Sequence, residues 1–436
     1  MSCTRHRRSP AALLASTLVA VVPAALPVFA DEGASALLLH GGGMIDLESG
    51  RLVDDRAVLI VGGRVSQVAP AEEVRVPAGA RRIDLKGLTL LPGLIDLHSH
   101  LLLRPYDQAS WDDQVLRESL ELRTVRAVAA AKATVEAGFT TLRDLGTEGA
   151  GYADVALRDA VAQGIVPGPR IFAATRALVA TGCYGPAGFD PRWDVPMGAQ
   201  VADGVDGVRR ATRQQIAAGA DWIKVYADYR RRPGVEATPT FSPAELEAIV
   251  DEARSAGLPV AAHAVTPEAI RRSVLAGVDT IEHGYGATDE VLALMREHGV
   301  VLCPTLTAAE SMARYAGWSP GEADPPRIRE AKEMFVRAVR SGVTIACGSD
   351  VGVFAHGDNA RELELMVEYG MTPVEALRAA TSTAAAVLKR QGALGCIAPG
   401  CVADLIAVRG DPRQDITVLR SPALVVKAGR VVLDRR

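Results

Sequence analysis

The chain has 436 residues, 48% of them hydrophobic and 23% charged, with 41 Gly and 25 Pro, a composition that excludes a disordered or collagenous protein. At this length one hydrophobic core seldom serves alone, so two domains or one barrel with an appended module are expected. Lys and Arg number 48 against 52 Asp and Glu, a net charge of -4, which does not suit a nucleic-acid-binding surface.

Residues 1–30 open with a basic start (Arg5, His6, Arg7, Arg8), run through the apolar AALLASTLVAVVPAALPV and end on Val28-Phe29-Ala30 before Asp31. That pattern predicts a signal peptide cleaved after Ala30, and its loss leaves 45 basic against 52 acidic residues, a net charge of -7. An uncleaved anchor is the rival, against which Pro23, Pro27 and the short apolar core count. No later segment is long and apolar enough to span a bilayer. The expected mature protein is therefore soluble, free of the membrane, and secreted or periplasmic, where disulfides are permitted. Cys303 and Cys347 lie in apolar runs and read as small buried hydrophobes. Cys396 and Cys401 flank a Pro399-Gly400 turn and could bridge, which the sequence leaves open; Cys183 has no obvious mate.

From residue 36 the texture is short and strand-like, ALLLHGGGMID, RAVLIVGGRVSQVAP and RRIDLKGLTLLPG, and the C-terminus repeats it in ADLIAVRG and ALVVKAGRVVLD. A small β-sandwich domain built from both termini, residues 31–90 and 395–436, is expected. Between them, in residues 91–394, eight apolar strand candidates alternate with amphipathic stretches: 94–98, 140–145, 170–175, 222–227, 259–264, 280–284, 300–306 and 344–350. One intervening helix carries a capping signature, Ser242 with Glu245, and Gly257 closes it. Eight such units predict an α/β fold of the (β/α)₈ TIM-barrel type, with chemistry at the C-terminal strand ends.

Those ends carry His98 and His100, Lys224, His263, His283 and Asp350. Residues two apart on a strand point the same way, so His98 and His100 can offer two imidazoles to one metal. A lone H-x-H is weak; six ligand-capable residues at the matching ends of five strands are a much stronger signal. Lys224, held near divalent cations, is pushed to lose its proton. The neutral amine can take up CO₂ as a carbamate whose two oxygens bridge two metals. The bland alternative is a lysine lying along the wall with its charge in solvent.

In order, L-L-P-G-L-I-D-L-H-S-H, W-I-K-V-Y, A-A-H-A, I-E-H-G and G-S-D resemble the amidohydrolase superfamily over essentially the whole mature chain, and the tail from Gly395 to Ile406 is similar to the strand-turn-strand that completes its small β domain. Gly348-Ser349-Asp350, His356-Gly357, Asn359 and Glu362 are similar to the branch of imidazolonepropionases and prolidase-like (Xaa-Pro) dipeptidases, and Lys224 favours the two-metal dipeptidase side. The resemblance implies that His98, His100 and Asp350 hold one metal and His263 and His283 the other, with carbamylated Lys224 joining them. Zinc is the default. It further implies a hydroxide shared between the cations as nucleophile, Asp350 as base and then acid, and frequent homo-oligomers.

After Lys224 come Tyr226, Tyr229, Arg230, Arg231 and Arg232. Arginine suits a carboxylate, so this loop is expected to grip the free C-terminal carboxylate of a small-molecule or dipeptide substrate, with Tyr226 near the scissile carbonyl; a solvated basic loop is the alternative. His356 either contacts substrate or orders its loop, Asp96 is expected to pack around the site, and the loop 178–196 is a candidate lid. The resulting expectation is an exported metal-dependent hydrolase of dipeptides or N-acyl amino acids. Hydrolysis of bulkier ochratoxin-like N-aroyl-phenylalanine amides, a cyclic-amide hydrolase and a non-catalytic scaffold are the alternatives.

Overall fold

A computed structural model describes residues 36–436 except Pro191 and Pro233; the expected leader, residues 1–30, lies outside the described residues. The fold is mixed α/β. Parallel strands Leu94–Ser99, Phe139–Asp144 and Arg170–Ala173 form one sheet. Gln200–Val201, Leu178–Val179, Ile223–Tyr226, Val260–Ala264, Thr280–His283 and Val301–Cys303 form a second, also parallel. Both faces are covered, which is why these strands read as near-continuous apolar runs rather than as alternations. Ile223 and Val225 join the outer core with the helices, and Lys224 and Tyr226 therefore face the other way.

Further bonds link the sheets. Ala173 O accepts from the amides of Asp221 and Trp222 at 2.7 and 3.3 Å. On the far side, the 344–350 segment lies between Val301–Cys303 and Leu94–Ser99: Leu302 N donates to Thr344 O at 2.9 Å, Leu97 N to Cys347 O at 2.9 Å and Asp350 N to His98 O at 2.8 Å. The expected regular strand is absent there, and only single bridges at Ile345 and Val351 form. The chain is crowded and bent at this point, since a Cβ on Gly348 would come within 3.1 Å of both Cys303 and His98, and Asp350 turns at φ 64°. Similar turns at Thr175 (61°) and Thr305 (51°) end two other strands earlier than expected, and a helix, Leu306–Tyr315, starts where the seventh was drawn to finish. The candidate lid opens with an unforeseen strand, Leu178–Val179.

The helix Pro243–Ser255 has the capping box of Ser242 and Glu245, and the Gly257 amide donates to Arg254 O at 2.9 Å. Thr372 and Glu375 repeat the device on Pro373–Ala379.

Strands from both ends of the chain share one six-stranded sheet: Arg430–Asp434, Leu424–Lys427, Leu405–Arg409, Leu88–Pro92, Gly43–Asp46 and Arg51–Val53. A four-stranded sheet holds Arg64–Pro70, Arg56–Val61, Leu37–His40 and Arg81–Asp84. One apolar cluster draws on both, through Leu37, Val58 and Ile60 with Leu90, Leu405 and Val426. Cys396 and Cys401 form a disulfide with Cα atoms 6.2 Å apart, and the Val65 amide donates to Cys401 O at 2.9 Å. Among the described residues no helix is long and apolar enough to cross a membrane.

Candidate active site

His98 and His100 stand two residues apart at the end of the Leu94–Ser99 strand and meet Asp350 from the adjoining 344–350 segment. Asp350 Oδ1 lies 3.3 Å from His100 Nε2 and 3.6 Å from His98 Nε2, and one ligand atom from each of the three falls within 4.8 Å of the others. The outer nitrogens are occupied. His98 Nδ1–H donates to Glu282 Oε2 at 2.8 Å, and His100 Nδ1–H to Gly146 O at 2.9 Å, which aims both Nε2 atoms at Asp350.

The other two histidines complete one cluster. The His283 ring stands 5.1 Å from that of His98 and 4.5 Å from that of His263, with its Nδ1 2.7 Å from Thr305 Oγ1. His263 stacks on Tyr226 at 4.7 Å, its Nε2 3.6 Å from Asp228 Oδ1. Lys224 is 1% exposed, and its Nζ has no hydrogen-bond partner among the described residues; it lies 5.4 Å from the Tyr226 ring.

The electrostatics follow from this crowding. Burial lowers the Lys224 pKa, against the pull of the Glu282 and Asp350 carboxylates. Burial and the Lys224 charge bring His98 down to about 4 and His263 to about 3, and His283 also falls. Burial opposes protonation of His100 too, but Asp350, Glu148 and Asp144 raise it to about 9. Asp350 is lowered although burial opposes it, because His98 and His100 stand beside it. Three imidazoles held neutral, a fourth, His100, held beside the carboxylate of Asp350, and a buried amine without a partner among the described residues are a donor set suited to divalent metal, whose binding would displace the His100 proton.

Asp96, expected around the site, is the pin of the G-S-D segment. It accepts from the His98 and Ser349 amides at 3.0 Å each, from Ser349 Oγ at 2.5 Å and from Asn359 Nδ2 at 2.7 Å. Sequence reasoning missed Glu282, which also accepts from Arg143 at 2.8 Å and Thr280 at 2.5 Å. Neighbours on a strand should point apart; φ of 71° at His283 breaks that alternation, so Glu282 and His283 both reach the His98 ring. The only sequence signal was its adjacency to His283.

A cavity of about 520 Å³ opens over the cluster, lined by His98, His100, His263, His283 and Asp350 together with Tyr226 and Arg230. Tyr229, of the same loop, lines it too, as do Tyr106, Tyr184, Tyr285, Arg327 and Glu330, which the sequence did not single out as contacts. Arg231 and Arg232 depart from the expected grip: both are exposed and off the cavity wall, Arg231 reaching back toward Pro239 O at 3.5 Å. Of the two readings of His356, substrate contact and loop ordering, its surroundings favour the second, and it is off the cavity wall. Its Nε2 bonds Leu103 O at 3.2 Å, so the ring braces the 100–103 turn from behind.

Residues 89–432 match the profile of the Amidohydrolase family. The chain belongs to that family. It is a hydrolase acting on amide bonds. Among amidohydrolase relatives, the ochratoxinase of Aspergillus niger is 31% identical over 422 residues, covering 90% of this chain and 83% of that one. A solved prolidase complexed with N-methylphosphonate-L-proline is 34% identical with TM-score 0.81, covering 92% of this chain and all of the other. A solved Xaa-Pro dipeptidase with methionine bound in its active site is also 34% identical, with TM-score 0.80 and coverage of 91% and 99%.

Proposed function

We propose that this chain is an exported, binuclear metal-dependent amidohydrolase that cuts the amide bond of dipeptides or N-acyl amino acids and releases the C-terminal residue. In this reading the two parallel sheets and the 344–350 segment close as one (β/α)₈ barrel, residues 91–394, and the terminal strands form a β-sandwich, residues 31–90 and 395–436. The bonds at Ala173, Leu97 and Leu302 and the barrel relatives support it. Residues 1–30 are its signal peptide, and the mature protein is secreted or periplasmic.

The observation that carries the chemistry is Lys224 Nζ, buried without a hydrogen-bond partner among the described residues and near enough to His98, His263 and His283 for its charge to act on all three. A buried amine left unpaired is costly. As a neutral amine it attacks CO₂, forms an N–C bond, loses one proton and becomes a carbamate with two oxygen ligands. His98, His100 and Asp350 would hold one cation and His263 and His283 the second, and the Lys224 carbamate would supply a ligand oxygen to each. Divalent cations, zinc by ligand type, supply deprotonated water at neutral pH and polarise an amide carbonyl.

The chain's own groups do the rest. Asp350 Oδ1 takes the proton of the attacking water and returns it to the leaving nitrogen. Glu282 keeps His98 in one tautomer. Arg230 pairs with the free carboxylate of the substrate, and Tyr226 lies beside the scissile carbonyl. A bulkier N-aroyl amino acid is the second reading, favoured by one observation: five of the eight tyrosines line the cavity, a surface suited to flat rings.

The test is a turnover screen of the zinc-loaded protein with dipeptides and N-acyl amino acids, varying the C-terminal residue among Pro, aliphatic, aromatic and basic types. Turnover of free acids, lost on their C-terminal amides, is expected. Turnover of cyclic amides alone would overturn the assignment.

A further inference from the structure

Glu148 is a buried carboxylate that the chemistry above leaves without a role. It follows the Phe139–Asp144 strand, is 1% exposed, and has φ of 51° where a side chain is strained. The Arg123 guanidinium clamps its surroundings, donating to the carbonyls of Leu102, Glu148 and Thr147 at 3.1, 2.8 and 3.2 Å. The carboxylate faces two ways. Oε1 lies 3.6 Å from His100 Nδ1, and Oε2 accepts from Trp111 Nε1–H at 2.7 Å and from the Tyr184 hydroxyl.

Tyr184 belongs to the segment between Leu178–Val179 and Gln200–Val201. Its ring packs 4.1 Å from that of Tyr226 and 5.1 Å from that of Tyr229, and all three line the cavity. Trp111 grips the same segment: its ring lies 4.9 Å from Tyr184, and a Cβ on Gly198 would come within 2.2 Å of the indole.

We propose that Glu148 is a positioning residue that couples the seating of the 180–199 segment to the metal-binding imidazole of His100. This rests on His100 being a ligand, as proposed above. With Tyr184 seated, Oε2 has both donors and Oε1 is held against the outer edge of His100, where a negative charge strengthens Nε2 as a ligand. When Tyr184 leaves, the carboxylate loses a donor and its fixed place. A cavity wall that substrate touches is thereby linked to metal affinity.

Zinc alone is the probe. The parent chain, Tyr184→Phe, Glu148→Gln and the double variant are compared for zinc affinity by competition with a chelating dye, for the rate of proteolysis within 180–199, and for the thermal midpoint without metal. Glu148→Gln is expected to weaken zinc about tenfold or more, and Tyr184→Phe by a smaller factor. Both single variants should be cleaved faster. The double variant should bind zinc no more weakly than Glu148→Gln, because the phenol acts only through the carboxylate. Unchanged affinity in the single variants, losses that add in the double, or losses that merely track the thermal midpoint overturn the coupling. A parent chain that binds no zinc overturns the metal reading and this proposal with it.

Discussion

His98 Nδ1 and Glu282 Oε2 lie 2.8 Å apart, both side chains almost wholly buried. Glu282 is in turn held by Arg143 and Thr280, and burial notwithstanding, the Arg143 charge and the hydrogen bond from His98 keep its carboxyl far below the usual range. The acceptor that orients His98 is thus a fixed anion. Glu282→Gln should reduce zinc affinity about 10- to 100-fold with little change in fold, read by chelator competition and circular dichroism; wild-type affinity would remove the orienting role.

Arg230 lines the cavity, whereas Arg231 and Arg232 do not. Arg230→Met should raise KM for a free-acid substrate about 10- to 100-fold, the size of a charge-assisted hydrogen bond of roughly 1.5–3 kcal/mol, and leave KM for the corresponding C-terminal amide almost unchanged. Met at 231 or 232 should alter neither. Equal losses on acid and amide would dismiss the carboxylate grip.

Glu362 is fully buried beneath the start of the Leu306–Tyr315 helix and accepts from the Leu306 and Thr307 amides at 2.9 and 2.8 Å. Burial, with the Asp96 charge adding to it, carries its pKa to about 8. Between about 4.5 and about 8 the folded chain therefore binds a proton that the unfolded chain has lost, so this group's stabilising share, complete below about 4.5, is lost as pH rises through 8. Thermal midpoints measured from pH 5 to 9 should fall less steeply for Glu362→Gln than for the parent. Parallel slopes would contradict the assignment.

The Cys396–Cys401 disulfide closes a short loop next to the strand Arg64–Pro70. Replacing both with Ser should cost about 2 kcal/mol, the chain-entropy value for a loop of this size, and reduction of the parent should match it in denaturant titrations. A larger loss on reduction than on replacement would point to another disulfide.

The apolar runs foretold most of the parallel strands because burial on both faces leaves little room for polar residues. His98, His100, His263, His283 and Asp350 were legible because they sit at or just past the ends of apolar runs, and Lys224 because it is the one charged residue within the run Ile223–Tyr226. What escaped reading were departures from strand geometry. Left-handed turns at Thr175, His283, Thr305 and Asp350 shorten strands and redirect side chains, and two of those four residues, both Thr, are not of the Gly, Asn, Asp or His types that favour such a turn. Glu282 and Glu148 were invisible for a related reason: each acts through a contact between segments distant in sequence, 184 residues for Glu282 with His98. The three consecutive arginines looked alike, and only the path of the loop separates Arg230 from the others.

The most direct measurement is metal content beside turnover in Lys224→Ala. Elemental analysis of the parent should find about two zinc ions per chain, and the variant should lose metal and turnover together, with short carboxylic acids restoring part of both by standing in for the carbamate. A variant that keeps parental metal content and near-parental rates would contradict the bridging amine and the two-metal account built on it.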